Sequence, residues 1–295
     1  GTYVQKALTS ELSGNMIDLC PVGALTNSPY AFHARSWELK KTESVDVMDA
    51  LGANIRVDAR GPEVMRVLPR LNEDVNEEWI SDKTRFACDG LKRQRLDRPY
   101  VRKDGKLQPA SWDEAFAAIG AAAKRLKGPQ MAAIAGDLAD CEAMTALKDL
   151  MTGLGSTNID CRQDGAKLDA KTRCSYIFNS TVAGIERASA VLLVGTNPRA
   201  EAPVLNARIR KRWTRGGLEV GVIGTEHDMT YPTTHLGDGA DVLRQLADGK
   251  GAFAKVLKAA ERPMIIVGQA ALARPDGAQV MALARAVAEK FGAIT

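Results

Sequence analysis

The sequence predicts an α/β protein, in which a small β-containing module precedes a larger region built on a parallel sheet with helices on both faces. Three observations carry that expectation. Short apolar runs such as AVLLVG (190–195) and PMIIVG (263–268) have strand length and are bounded by turn residues. They alternate with helix-like stretches, the order that builds βαβ crossovers. The runs are continuous instead of alternating apolar with polar, so both faces of each strand must be buried, as in a parallel sheet.

The elements follow in chain order. Before about residue 110, apolar runs are short and broken by Gly, Pro and charge. NIRV (54–57) and EVMRVL (63–68) flank the turn residues DARGP and read as a hairpin. NEDVNEEWISDKTRF (72–86) has no sustained period and reads as a loop with a turn of helix, so residues 44–100 suggest a small β-containing module. From SWDEAFAAIGAAAKRLKG onward the pattern becomes strand, loop, helix. Ser111 is a plausible N-cap with Glu114 as its capping-box partner, and Gly128 is expected to close that helix. A strand MAAIAG, a helix from Cys141, the strand AVLLVG, a helix opened by Pro203, the strand LEVGVIG, the strand PMIIVG and the helix AQVMALARAVAEKFG complete the series. Leu205, Ile209 and Trp213 recur at i, i+4, i+8, as a helix face packed on a sheet requires. The opening residues read as mid-protein sequence and GAIT falls where another strand is due, so both ends are expected to continue in a longer protein.

Several function classes are excluded or weakened. No run of about 18 apolar residues occurs, so no helix that crosses a bilayer is expected. The net charge of +4 comes from local clusters and aromatics make up only 5%, which argues against nucleic-acid binding. Cys20, Cys88, Cys141, Cys161 and Cys174 are widely spaced without a C-x-x-C pair, which indicates mostly free thiols in a reducing compartment. His33, His227 and His235 lack zinc spacing, and each reads as structural or superficial. No G-x-S-x-G elbow is present, and Cys141 and Cys174 lie in segments that look helical or buried. The acidic NEDVNEE stretch reads as a solvated loop. Arg208, Arg210, Lys211, Arg212 and Arg215 read as a solvated helix face in preference to a subunit contact.

Two stretches remain as candidate sites. VGTNPRAEAP (194–203) follows a buried strand, where loop amides collect ligands in parallel sheets, yet it carries neither G-x-G-x-x-G nor a P-loop and better suits an ordinary strand-to-helix connection. In DLCPVGAL (18–25), Cys20 precedes a proline that has no N–H and a fixed φ. The residues alone leave it either a metal ligand or a small buried thiol.

SELSGNMIDLCPVGALTNSPYAF, ESVDVMDALGANIRV, RGPEVMRVLPRLNEDVNEEWISDKTRFACDGLKRQRL and VLLVGTNPRAEAPVLNARIRK together closely resemble the large iron–sulfur subunits of respiratory complex I, the proton-pumping NADH:quinone oxidoreductase. The likeness runs from about residue 2 to beyond residue 290 and is nearest to the mitochondrial and alphaproteobacterial versions. It implies that Cys20 is the fourth ligand of a [4Fe-4S] cluster whose other three cysteines lie upstream, outside this span, where further iron–sulfur clusters are also expected. It implies residues 1–43 as the end of a ferredoxin-like region, 44–110 as a small β module, and 111–295 as an incomplete Rossmann-like region resembling molybdopterin oxidoreductases. In those enzymes the small module often holds another cluster. Here the corresponding ESVDVMDALGANIRV and WISDKTRF contain no cysteine, Ser81 stands about where the later ligand would be, and Cys88 reads as structural.

The function implied is electron transfer from NADH through flavin and iron–sulfur clusters towards quinone, with the α/β region as scaffold and no molybdopterin. On this reading the span is part of an enzyme but has no catalytic activity alone. Ser13, Gly14 and the amides after Pro21 are candidate hydrogen-bond donors to the cluster's surroundings. The implied partners are the other peripheral-arm subunits, including the flavin-bearing NADH-binding one. The implied location is peripheral, on the matrix face of the mitochondrial inner membrane or the cytoplasmic face of a bacterial one. The alternatives are a molybdopterin enzyme resembling formate dehydrogenase, and a structural or assembly module without redox role.

Overall fold

The computed structural model describes residues 8–161 and 164–293. They fall into two compact units: one formed by Gly1–Leu91 together with Ala166–Thr295, the other by Lys92–Gly165.

The first unit begins with the short helix α1 (Asn15–Leu19) and a three-stranded antiparallel sheet of β1 (Lys40–Val45), β2 (Asn54–Arg60) and β3 (Glu63–Pro69). The expected hairpin is β2–β3, running from Ile55↔Pro69 to Arg60↔Glu63 with a bulge between Asp58 and Ala59. The bulge lies beside a fully buried Asp58, whose carboxylate accepts from Arg56 and from Arg66 at 2.8 Å each. Ala53, Ile55, Val67 and Ile80 form the module's core, with Cys88 packed against it. The single turn of helix expected in 72–86 is α2 (Asp82–Phe86), capped by Ser81.

The second unit holds the hairpin β4 (Tyr100–Lys103) and β5 (Lys106–Pro109), then α3 (Trp112–Ala123), β6 (Ala133–Ile134), α4 (Cys141–Gly153) and β7 (Ile159–Asp160). Ser111 and Glu114 make the expected capping box, with Glu114 N–H donating to Ser111 Oγ at 3.2 Å and Ser111 N–H to Glu114 Oε2 at 2.9 Å. Gly128 does not close that helix, which stops at Ala123. A Cβ on Gly128 would lie 2.0 Å from the Gly155 carbonyl oxygen, so this glycine is required for the close approach of two loops. MAAIAG supplies only two strand residues, paired with β7 in a sheet of their own, and not a strand of the main sheet.

The main sheet belongs to the first unit. Its strands β8 (Ala190–Val194), β9 (Glu219–Ile223), β10 (Thr234–Gly237) and β11 (Pro263–Val267) lie in the order β10-β9-β8-β11, all parallel. Helices α5 (Pro198–Glu201), α6 (Pro203–Thr214), α7 (Ala240–Ala247), α8 (Ala252–Ala259), α9 (Gln269–Ala273) and α10 (Gly277–Phe291) connect and cover them. Every residue of β8 is buried, and its side chains divide by parity. Val191 and Leu193 join a core with Ile209, Met229 and Met264, against which Leu205 and Trp213 pack. Ala190, Leu192 and Val194 join another with Leu243, Phe253, Leu257 and Val287. Both faces are therefore apolar and covered, as the continuous strand pattern demands.

The basic stretch of α6 is only partly solvated: Arg210 is exposed, whereas Arg208, Lys211, Arg212 and Arg215 are engaged by other parts of the unit. Arg208 is buried, and its Nη1 donates to Glu186 at 3.4 Å while its Nη2 donates to the Glu73 carbonyl and lies 3.7 Å from Glu77. Lys211 joins Glu77 and Glu186, and Arg215 donates to Glu186 at 2.9 Å. Arg212 satisfies the carbonyls of Ala188 and Gly216. The same contacts correct the reading of NEDVNEE. Its Glu77 is an ion-pair partner and its Asn76 is fully buried, bonded to the backbone of Asn54, Arg70 and Trp79.

Candidate functional site

The turn after α1 carries Cys20. Pro21 cannot continue the helix, and Gly23 takes φ +66°, a left-handed conformation that costs glycine little. The chain thereby folds back over its own cysteine, and the Ala24 N–H donates to Cys20 Sγ at 3.2 Å. The amides of Leu25 and Val22, then those of Ala24 and Gly23, hold the thiol below its ordinary value of 9.0. The arrangement favours a thiolate, the form that binds iron, and provides the N–H groups that tune sulfur ligands. Leu19, Val22 and Leu25 around it are exposed. Among the described residues no group of three or more His, Cys, Asp or Glu side chains could hold a metal ion.

The amides after Pro21 thus face the sulfur as expected, but Ser13 and Gly14 do not. The Ser13 hydroxyl donates to Asp82 Oδ2 at 2.6 Å and the Gly14 N–H to Asp82 Oδ1 at 2.7 Å, so both are turned to α2.

The two cysteine-free segments of the small module meet each other. Thr84 Oγ1 donates to Asp46 Oδ2 at 2.7 Å, Ser81 and Thr84 hydroxyls lie 2.8 Å apart, and the Thr84 N–H donates to Ser81 Oγ at 3.1 Å. All three residues are buried. Burial pushes up the carboxyl of nearby Asp49, against the Leu51 N–H that it accepts, and the Asp46 charge raises it further. Ser81 is a helix cap here, and a hydrogen-bonded chain ties together the places where a cluster's ligands would be sought.

The second candidate lies at the carboxyl ends of the main sheet. The strand order places a switch point between β8 and β11, where open parallel sheets take ligands. A crevice of about 370 Å³ opens there, lined by Thr196, Asn197, Thr225, His227, Asp238 and Arg274 among others. Gly195 serves a backbone approach: a Cβ on it would lie 2.6 Å from Ala271 Cβ, and one on Gly268 would lie 2.3 Å from the Gly195 carbonyl oxygen.

A pyrophosphate-bearing pterin dinucleotide needs free N–H groups and cations. The residues present do not suit one. Glu201 accepts the Thr196 hydroxyl at 3.0 Å and the Asn197 N–H at 2.7 Å, placing a carboxylate where an anion would bind. Asn197 Oδ1 accepts the Ala200 N–H at 3.3 Å, and Arg274 is engaged by Asp276 at 2.7 and 3.0 Å.

His235, the second residue of β10, sits with Nε2 2.9 Å from the Gly224 carbonyl and 3.2 Å from Asp238 Oδ1. That carbonyl first, and Asp238 next, raise the imidazole above its ordinary 6.5. A raised folded value means that its stabilisation is complete below the ordinary value and is lost as pH rises through the raised one. His235→Ala is therefore expected to lower the melting temperature more at about pH 6 than at about pH 8. Equal losses in thermal unfolding at the two pH values would contradict this.

The remaining cysteines form no disulfide. Cys88 is half-buried in the small module. Cys141 begins α4 and Cys174 lies in a single helical turn, but both are exposed and not buried. Cys161 is exposed as well.

Comparison with known proteins adds three matches. Residues 95–295 match the molybdopterin oxidoreductase family. Residues 39–89 match the NADH-ubiquinone oxidoreductase NDSU1/NuoG-like 4Fe-4S domain, and residues 1–26 the ferredoxin-like domain of NADH-quinone oxidoreductase subunit 3. The chain is 58% identical over 274 residues to the mitochondrial NADH-ubiquinone oxidoreductase 78 kDa subunit of Neurospora crassa, covering 91% of this chain and 37% of that protein. It is 52% identical over 290 residues, 98% of its length, to the mitochondrial NADH dehydrogenase [ubiquinone] iron-sulfur protein 1 of Solanum tuberosum, covering 39% of it. It is likewise 52% identical over 290 residues to an NADH-quinone oxidoreductase protein of Rickettsia felis, covering 43% of it. The chain thus spans about two fifths of the length of these relatives, which are both mitochondrial and bacterial.

Proposed function

Because the chain belongs to the molybdopterin oxidoreductase family over residues 95–295 and, with the iron–sulfur segments ahead of it, to the large iron–sulfur subunits of NADH:quinone oxidoreductase, we propose that it carries the last protein ligand of a [4Fe-4S] cluster in an electron-transfer chain. Cys20 is that ligand. The observation that carries the reading is its sulfur, which accepts the Ala24 N–H at 3.2 Å in the turn that follows Pro21. When bound, the cluster supplies one-electron transfer, relaying electrons that enter from NADH through a flavin towards quinone. The protein's contribution is to orient the sulfur through the Pro21 turn and to offer it N–H donors that favour negative charge. The other three ligands come from protein outside this span.

Residues 1–43 are on this reading the end of the ferredoxin-like region, 44–110 the small module and 111–295 the molybdopterin oxidoreductase-like scaffold. The small module, without cysteine at the places where a cluster would be held, is structural. No helix among the described residues is long and apolar enough to cross a membrane, which agrees with a peripheral position on the matrix face of the mitochondrial inner membrane or the cytoplasmic face of a bacterial one. The partners are the other peripheral-arm subunits, among them the one that carries flavin and binds NADH.

The test is Cys20→Ala in the full-length subunit within its intact complex. Low-temperature EPR is expected to lose one [4Fe-4S] signal and keep the others. An unchanged cluster count would overturn the ligand reading.

A further inference from the structure

The helix that delivers Cys20 is held from below by the module that lacks cluster cysteines. Asn15 is buried and exchanges two hydrogen bonds with the Ile80 backbone, its Nδ2 donating to the carbonyl at 2.8 Å and its Oδ1 accepting the N–H at 3.1 Å. The Asp82 N–H donates to the Glu11 carbonyl at 2.9 Å, while the Asp82 carboxylate receives Ser13 and Gly14 at the start of α1. Arg85, fully buried, donates from Nη2 to Asp18 Oδ2 at 2.5 Å and to Asn15 Oδ1 at 3.2 Å. Its remaining Nε and Nη1 find no partner among the described residues, a cost accepted at a site that is otherwise fully bonded.

Space as well as charge is fitted here. A Cβ on Gly14 would lie 2.6 Å from Arg85 Cδ and 2.8 Å from Asp82 Oδ1, so only glycine lets α1 settle this closely on α2. Both ends of α1 are thus fixed to one short helix. Asp82 holds its first turn, and Arg85 holds Asp18, two residues before the cysteine.

We infer that Asp82 and Arg85 are positioning residues for the iron ligand Cys20, and that the small module works as a clamp for the neighbouring cluster. This rests on the reading of Cys20 as a ligand. Neither residue touches the cluster in this role. Each acts by fixing where the Cys20 sulfur and its ring of amides stand, and outer groups of this kind influence both retention and electronic properties of a metal centre.

The experiment compares R85M, D82N and C20A in the full-length subunit within the intact complex, by EPR and by the rate at which an iron chelator removes each cluster. D82N keeps the side-chain volume but can no longer accept both Ser13 and Gly14. R85M and D82N are expected to shift the g values of the one signal that C20A removes, and to speed its loss to chelator about 10-fold, leaving the other signals alone. If C20A removes a signal whose g values and lability are unchanged in both other variants, the clamp is overturned while the ligand reading stands. Where R85M does not assemble, D82N decides alone. If C20A leaves every cluster in place, the ligand reading fails and the clamp with it.

Discussion

Arg208→Met is expected to lower the unfolding free energy by about 3 to 5 kcal/mol, the range found when one member of a buried ion-pair network is removed. The side chain is 2% exposed, so its interactions are little screened by water. Its loss takes a hydrogen bond from the Glu73 carbonyl and a buried cation from the neighbourhood of Glu77 and Glu186. Burial pushes the Glu186 carboxyl up, but hydrogen bonds from Arg215 and Lys211 outweigh that and hold it below its ordinary value of 4.5. A lowered folded value contributes stability that is present above the ordinary value and is lost as pH falls through the lower one. The network should therefore weaken in acid. Denaturant unfolding of the wild type and variant near neutral pH measures the effect. A change within about 0.5 kcal/mol would mean that the α6 face is an ordinary solvated surface.

Leu192→Ala and Leu193→Ala are each expected to cost about 3 kcal/mol, the middle of the range for truncating a buried leucine. The two residues are adjacent and point to opposite faces of β8, so the pair tests both layers of the sheet separately. Comparable losses fit a strand covered twice. A cost below about 1 kcal/mol for either would leave that face without a packed core. Ile134→Ala is the control: it lies in the short β6, is 69% exposed, and should change stability by no more than about 0.5 kcal/mol.

The strands with continuous apolar runs were legible because burial on both faces leaves no polar position to confuse the period. The β2–β3 hairpin and the Ser111 capping box were legible from local turn and cap chemistry. The strand β1 was not, since KKTESV is exposed throughout and owes its conformation to backbone pairing with β2. The hairpin β4–β5 could have been found. Its turn is Asp104-Gly105, both with positive φ, the strongest short-range hairpin signal. The role of the α6 cations could not be read, because Lys211 meets Glu77 from 134 residues away. The proposal that Cys20 is a ligand came from the sequence only through resemblance. The ring of amides that makes its sulfur suitable depends on how the chain turns after Pro21, which composition does not reveal.

One consequence of the discontinuous first unit concerns the order of synthesis. Residues 1–91 complete their unit only with residues 166–295, after the whole of the second unit has been made. Arg199 reaches back across 188 residues to hold Glu11, just ahead of the Cys20 turn. At ribosomal rates of about 5 to 20 residues per second, that partner appears roughly 10 to 40 s later. The segment bearing the cysteine therefore acquires its contacts in two stages, those to Ile80, Asp82 and Arg85 soon after its own synthesis and that to Arg199 only much later.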